Sequence, residues 1–312
     1  MMILLTGGSA CGKSFYGESL CLRLPGPRFY VAAMRPYKAD SPARIARHQA
    51  LRAEKGIRTV ERYTDLAGLR MPERGTALLE CICNLTANEM FDQAGNMRDP
   101  CGAVLEGVAA LERQCDRLIV VTNDVGSGCG TYDAGTQAYI RALGRINAAL
   151  AHQADAVYEL VCGIPVPLKG KLPENSIAGC EGGRNGMILI IGGEGSGKRT
   201  FAGTLGYGES RIADGVLDER PGICHVERLV FRDPGCVETL LPVLARKDVV
   251  ICNESGSGVI PADPEETAGR EAVGRLCILL ARQAGCVVRM VSGLPQILKG
   301  HLPDRDTKAP LL

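Results

Sequence analysis

Short apolar runs recur along the first half of the chain, at Met2–Thr6, Phe29–Ala32, Thr76–Ile82, Arg117–Thr122 and Ala156–Val161. Runs this unbroken predict strands covered on both faces, as in a parallel sheet. Between them the apolar positions change period. Over Ala103–Cys115 and Thr136–His152 they fall three and four residues apart, which predicts helices with one buried face. A further helix is predicted over Pro42–Lys55, where Ser41 can cap and Pro42 takes the first helical position. Strand–helix alternation of this kind reads as an α/β fold, a mostly parallel sheet with flanking helices.

The pattern then starts again. MILLTGGSACGK near the start is matched by MILIIGGEGSGK at Met187–Lys198, so that Gly7, Gly12 and Lys13 recur 185 residues on as Gly192, Gly197 and Lys198. A second series recurs at a spacing of 130: Asn123–Gly128 as Asn253–Gly258, Gly144-Arg145 as Gly274-Arg275, and Leu168-Lys169-Gly170 as Leu298-Lys299-Gly300. The change of spacing means that the second copy lacks about 55 residues between its glycine loop and its NESGSG segment. The expected domains are 1–171, a linker over 172–186 rich in Gly and Asn, and a shortened repeat over 187–312.

Composition narrows the function. The 312 residues carry 36 Lys+Arg against 35 Asp+Glu, a net charge of +1, and no Trp. Neither a basic field nor a stacking platform is available for nucleic acid. The 14 cysteines form no CxxC pair and the four His are far apart in sequence, so reduced thiols in a cytoplasmic protein are expected. The N-terminus lacks a basic region ahead of its apolar run, and no apolar stretch approaches the ~20 residues of a membrane span.

Gly7-Gly8-Ser9-Ala10-Cys11-Gly12-Lys13-Ser14 fits G-x-x-x-x-G-K-[ST] between a strand and a helix. Such a loop aims backbone N–H groups at phosphates, its lysine neutralises the β- and γ-phosphates, and its serine hydroxyl reaches Mg²⁺. A carboxylate at a neighbouring strand end completes the metal site, and Glu80 closes TALLE. The fold expected from this loop is that of the P-loop NTPases, present twice with the second copy smaller. In the second loop Arg199 stands where Ser14 stands in the first, and Arg cannot ligate Mg²⁺. We therefore expect metal-dependent chemistry in the first copy alone.

His48 lies in ARIARHQALR among Arg44, Arg47 and Arg52. Nearby positive charge keeps an imidazole neutral, and the same arginines can hold a phosphate for attack by its nitrogen. RIARH belongs to an ordered series: MILLTGGSACGKS, FYVAA, RIARH, RTVE, LLECICNLTAN, VTNDVGSG, GRIN and CGIPVPLK. Through this series residues 1–171 resemble the bifunctional adenosylcobinamide kinase / adenosylcobinamide-phosphate guanylyltransferase family of cobalamin biosynthesis.

The resemblance implies that a nucleoside triphosphate, GTP or ATP, phosphorylates adenosylcobinamide. It implies next that His48 attacks the α-phosphate of GTP and passes GMP to adenosylcobinamide phosphate. Gly7–Ser14, Ala32, Ala33, Met34, Gln49, Ala50, Leu51, Arg52, Glu61 and Glu80 would line the GTP site, with Lys13, His48 and Glu80 catalytic and Ser14 and Glu80 on Mg²⁺. Departures from the family pattern include Ala33, Gln49 and Arg62, and Cys129-Gly130-Thr131-Tyr132 where the family has GIVP. The second copy has Val259-Ile260-Pro261 there but lacks the histidine segment, and His225 falls opposite Thr59. Packing of the two copies and a homo-oligomer are expected. A non-catalytic nucleotide-binding regulator and a P-loop small-molecule kinase without guanylyl transfer are the alternatives.

Overall fold

The computed structural model describes residues 1–35, 50, 52–91, 96–128, 130–172, 185–261 and 263–302. These divide into two compact units. Met1–Gly7, Lys13–Leu160 and Pro165–Ile177 belong to the first, and Gly8–Gly12, Val161–Ile164 and Ala178–Leu312 to the second.

The first sheet has seven strands. They are β1 (Met2–Thr6), β2 (Arg28–Ala32), β3 (Ile57–Glu61), β4 (Thr76–Glu80), β5 (Arg117–Val121), β6 (Ala156–Val161) and β7 (Ile164–Lys169). Their order is β3-β2-β4-β5-β1-β6-β7, and the pairs from β3 through to β6 are parallel. Helices with described bounds include α1 (Lys13–Arg23), α2 (Ile82–Met90), α3 (Cys101–Gln114) and α4 (Ala134–Gln153). Ile3, Leu5, Leu78, Leu79, Leu118 and Ile119 are fully buried, as strands covered on both faces require. The run over Thr76–Ile82 divides: the strand ends at Glu80, and Ile82 opens α2. Strands β3 and β7 escape the apolar-run criterion because Arg58 and Glu61 punctuate one and two prolines punctuate the other. The predicted helix over Pro42–Lys55 lies mostly outside the described residues.

The second sheet has six strands: β8 (Asn185–Gly192), β9 (Ile212–Asp214), β10 (Gly222–Cys224), β11 (Val249–Asn253), β12 (Ala284–Val291) and β13 (Leu294–Lys299). Its order is β13-β12-β8-β11-β10-β9, parallel except for the β12–β13 pair. Helices α5 (Lys198–Thr204), α6 (Val226–Arg232), α7 (Val237–Leu244) and α8 (Pro264–Gln283) accompany it. Ile188, Ile190, Val249, Ile251, Cys286 and Val288 belong to its core.

The mostly parallel α/β fold is thus present twice, and corresponding contacts recur in it. Lys13 Nζ donates to Gly7 O at 3.1 Å, and Lys198 Nζ to Gly192 O at 3.0 Å. Lys169 Nζ donates to Ala151 O and His152 O at the end of α4, as Lys299 Nζ does to Ala281 O and Arg282 O at the end of α8. A cation on the last carbonyls of a helix satisfies groups without an intrahelical donor.

Strand register extends the correspondence across the gap. Leu4 pairs with Val120, and Val120 with Leu79; Leu189 pairs with Val250, and Val250 with Ile223. Leu79 is therefore equivalent to Ile223, Glu80 to Cys224 and Cys81 to His225. One strand further out, Ala32 beside Glu80 is equivalent to Asp214 beside Cys224. This corrects the placement of His225 opposite Thr59. Among the described residues the second sheet has no β3 counterpart, and His225 follows the equivalent of β4.

Candidate active site

Parallel strands bring their C-terminal ends to one edge of a sheet, the usual place for a ligand in open α/β folds. In the first sheet that edge collects Gly7 just past β1, with Ala32, Glu61 and Glu80 as the last residues of β2, β3 and β4. The loop following β1 turns by means of positive φ at Gly7 (137°), Ala10 (55°) and Gly12 (99°). Two of these positions need the freedom of glycine, and Ala10 holds a left-handed conformation that costs a non-glycine residue about 1 kcal/mol.

Lys13 and Ser14 open α1. Lys13 is buried, with 6 % of its surface exposed, and its ammonium lies on Gly7 O. Ser14 is exposed and donates its hydroxyl to Glu80 Oε1. The second carboxylate oxygen, Oε2, is buried and has no hydrogen-bond partner among the described residues. Burial pushes the Glu80 carboxyl above its ordinary range, against the lowering effect of hydrogen bonds from Ser14 and Tyr30. A carboxylate oxygen without a donor, beside a serine hydroxyl, is a fitting place for a hard cation with oxygen ligands. The donor set present accordingly fits Mg²⁺.

Tyr30 is a member of this site that sequence reasoning passed over. Its ring lies 3.8 Å beneath the Arg52 guanidinium, and its hydroxyl reaches Glu80. Burial and the neighbouring Glu80 push its phenol upward, so it stays protonated. Arg52 also donates to Thr59 Oγ1 at 3.3 Å. Through Tyr30, Arg52 is joined to Glu80 and Ser14. The signal for it was present in FYVAA, where alternation of buried and half-buried positions turns Tyr30 away from the Phe29 side.

The remaining predicted residues divide. Ala33 is fully buried; its N–H donates to Glu80 O at 2.9 Å, and its carbonyl accepts from Asn88 Nδ2 at 2.8 Å. It positions the strand ends. Met34 is exposed, and Glu61 accepts from Tyr63 Oη at 2.6 Å. Ala50 is among the described residues; His48, Gln49 and Leu51 lie outside them.

A half-buried polar network joins α2, the end of β5 and α4. Asn123 N–H donates to Cys83 Sγ at 3.2 Å, Thr122 Oγ1 to Asn147 Oδ1 at 2.7 Å, and Asn147 Nδ2 to Asn123 O at 3.0 Å. The thiol of Cys83 is drawn down, first by its hydrogen bond with Cys81. All twelve described cysteines are free, and no helix among the described residues is long and apolar enough to cross a membrane.

Comparison with known proteins follows these motifs. A bifunctional adenosylcobalamin biosynthesis protein CobU from Escherichia coli is 31% identical over 183 residues, covering 54% of this chain and 100% of the relative. Its Salmonella typhimurium counterpart gives the same identity and coverage. A bifunctional adenosylcobalamin biosynthesis protein CobP from Pseudomonas aeruginosa is 30% identical over 175 residues, covering 55% of this chain and 99% of the relative. The family model for cobinamide kinase / cobinamide phosphate guanyltransferase matches residues 3–168, the stretch that holds Lys13, Ser14, Tyr30, Arg52 and Glu80, and the chain belongs to that family.

Proposed function

We propose that residues 1–171 phosphorylate the aminopropanol hydroxyl of adenosylcobinamide and then convert the phosphate to adenosylcobinamide-GDP. The observation that carries this reading is the union of Lys13, Ser14, Glu80, Tyr30 and Arg52 around the strand ends in a chain of this family. The glycine loop holds the triphosphate of GTP or ATP, with Lys13 moving from its loop carbonyl to the phosphate oxygens. Ser14 and Glu80 would hold Mg²⁺, which would supply charge neutralisation at those oxygens.

In the transfer step the neutral imidazole of His48 donates its electron pair to the α-phosphorus of GTP. The bond to the bridging oxygen breaks and pyrophosphate leaves. A phosphate oxygen of adenosylcobinamide phosphate then attacks the same phosphorus, and the P–N bond breaks. Arg52, steadied on Tyr30, stabilises the charge gathered on the transferring phosphoryl group.

Residues 187–312 we read as a degenerate tandem copy, with 172–186 as linker. The repeated lysine contacts and the equivalent strand registers support a common origin. Replacement of Ser14 and Glu80 by Arg199 and Cys224 removes the hard-metal pair, so the chemistry belongs to the first copy. We further read the protein as cytoplasmic and homo-oligomeric.

The test is incubation of the full chain with GTP labelled at the α-phosphate. An acid-labile protein label is expected in wild type and absent in His48→Asn. A label formed at the wild-type rate in that variant overturns the role of His48.

A further inference from the structure

The exchange of ligands between the two sheets leaves the second with a different donor set. Asp214 closes β9, Cys224 closes β10, and His225 follows at φ 52° ahead of α6. The Asp214 carboxylate, the Cys224 thiol and a His225 ring nitrogen offer atoms that all lie within 4.8 Å of one another. His225 Nδ1 lies 2.5 Å from Asp214 Oδ1 and 3.6 Å from Cys224 Sγ.

We propose that Asp214, Cys224 and His225 form a binding site for one zinc-class divalent ion. In a tetrahedral zinc site, bonds of ~2.3 Å to sulfur and ~2.0 Å to nitrogen hold the two donors about 3.5 Å apart. The Cys224–His225 separation of 3.6 Å already matches that spacing. The Asp214–His225 contact is a hydrogen bond, and it opens by under about 1 Å when an ion replaces the shared proton. A mixed S, N, O set selects a borderline-soft ion and disfavours Mg²⁺.

Charge and access agree. Arg228 Nη1 lies 3.5 Å from Asp214 Oδ1 and Arg199 Nη1 3.9 Å from Oδ2, while a further nitrogen of Arg199 lies 3.4 Å from Glu209. A dication with one carboxylate and one thiolate is neutral in sum, so the flanking guanidiniums meet no net positive charge. The sulfur is buried, whereas the Asp214 side chain is 48% exposed and that of His225 21%, so an ion enters from the carboxylate side. With three protein ligands, the fourth position stays open to water or an anionic ligand.

The full chain, stripped with a chelator, should take up one Co²⁺ and develop a near-ultraviolet thiolate-to-cobalt charge-transfer band. Zn²⁺ should abolish the band at one equivalent, while excess Mg²⁺ should leave it intact. Cys224→Ser should remove the band. His225→Asn and Asp214→Asn, the latter at an exposed position that leaves the core untouched, should each weaken Co²⁺ binding by at least about tenfold. Absence of stoichiometric Co²⁺ binding in wild type overturns the proposal. So does an undiminished band in Cys224→Ser, or unchanged affinity in Asp214→Asn.

Discussion

The Arg52 guanidinium lies 3.8 Å over the ring of Tyr30, and the phenol of that same ring reaches the Glu80 carboxylate. One aromatic side chain thus contacts both a cation and the carboxylate proposed to hold Mg²⁺. Tyr30→Phe keeps the ring and removes only the hydroxyl. A hydrogen bond to a charged group contributes about 1.5 kcal/mol, so kcat/KM for the nucleotide should fall roughly tenfold. Steady-state kinetics at fixed Mg²⁺ check this, and an unchanged kcat/KM contradicts it.

Glu80 makes stability depend on pH. Its carboxyl is raised above 4.5 by burial, so the folded state holds the proton more tightly than the unfolded chain does. Between 4.5 and the raised value the native state binds more protons, and stability therefore falls as pH rises through that window. Denaturant melts in chelator should show this loss in wild type, a flat profile in Glu80→Gln, and recovery of wild-type stability on addition of Mg²⁺. A slope persisting in Glu80→Gln assigns the effect to another group.

Lys13 and Lys198 occupy matching places, each with its ammonium on the carbonyl that opens its loop. Their chemistry should nonetheless differ. Lys13→Ala should abolish both phosphoryl and guanylyl transfer, whereas Lys198→Ala should leave most of each. Equal losses from the two substitutions, measured in paired assays, would mean that the second loop takes part despite Arg199.

Gly107 lies on α3 against Leu66. A Cβ added there meets Leu66 Cβ at 2.7 Å, and the site is buried. Overpacking of this kind costs roughly 1–3 kcal/mol. Gly107→Ala should therefore lower the urea midpoint without altering the slope. Gly102, on the same helix with nothing within 4 Å of its added Cβ, provides the control: Gly102→Ala should be neutral or slightly stabilising.

Much of this architecture was legible in the chain because parallel strands advertise themselves as unbroken apolar runs. The spacing of 130 carries Lys169 to Lys299 without a gap, and the contacts of the two lysines agree. Legibility ended where the spacing changed. Between the glycine loop and NESGSG the two halves share no motif, so the equivalence of Cys224 with Glu80 emerges only from hydrogen-bonded register across three strands. Asp214 and Cys224 are ten residues apart in an unremarkable stretch, and adjacency of β9 and β10 is what brings them together. Tyr30 was hidden for a related reason: an aromatic residue in a strand reads as core until a neighbouring strand supplies its polar partner.

With no counterpart of β3 among the described residues, the second sheet has β9, a strand of three residues, at one of its edges. A freshly exposed sheet border offers unpaired amides and carbonyls to any other chain that can extend alongside it. Here the border is too brief to template such pairing. Ile212 and Ala213 are buried, and the strand stops at a charged residue, Asp214. This margin, short and closed by a charge, is therefore a poor template for intermolecular strand addition.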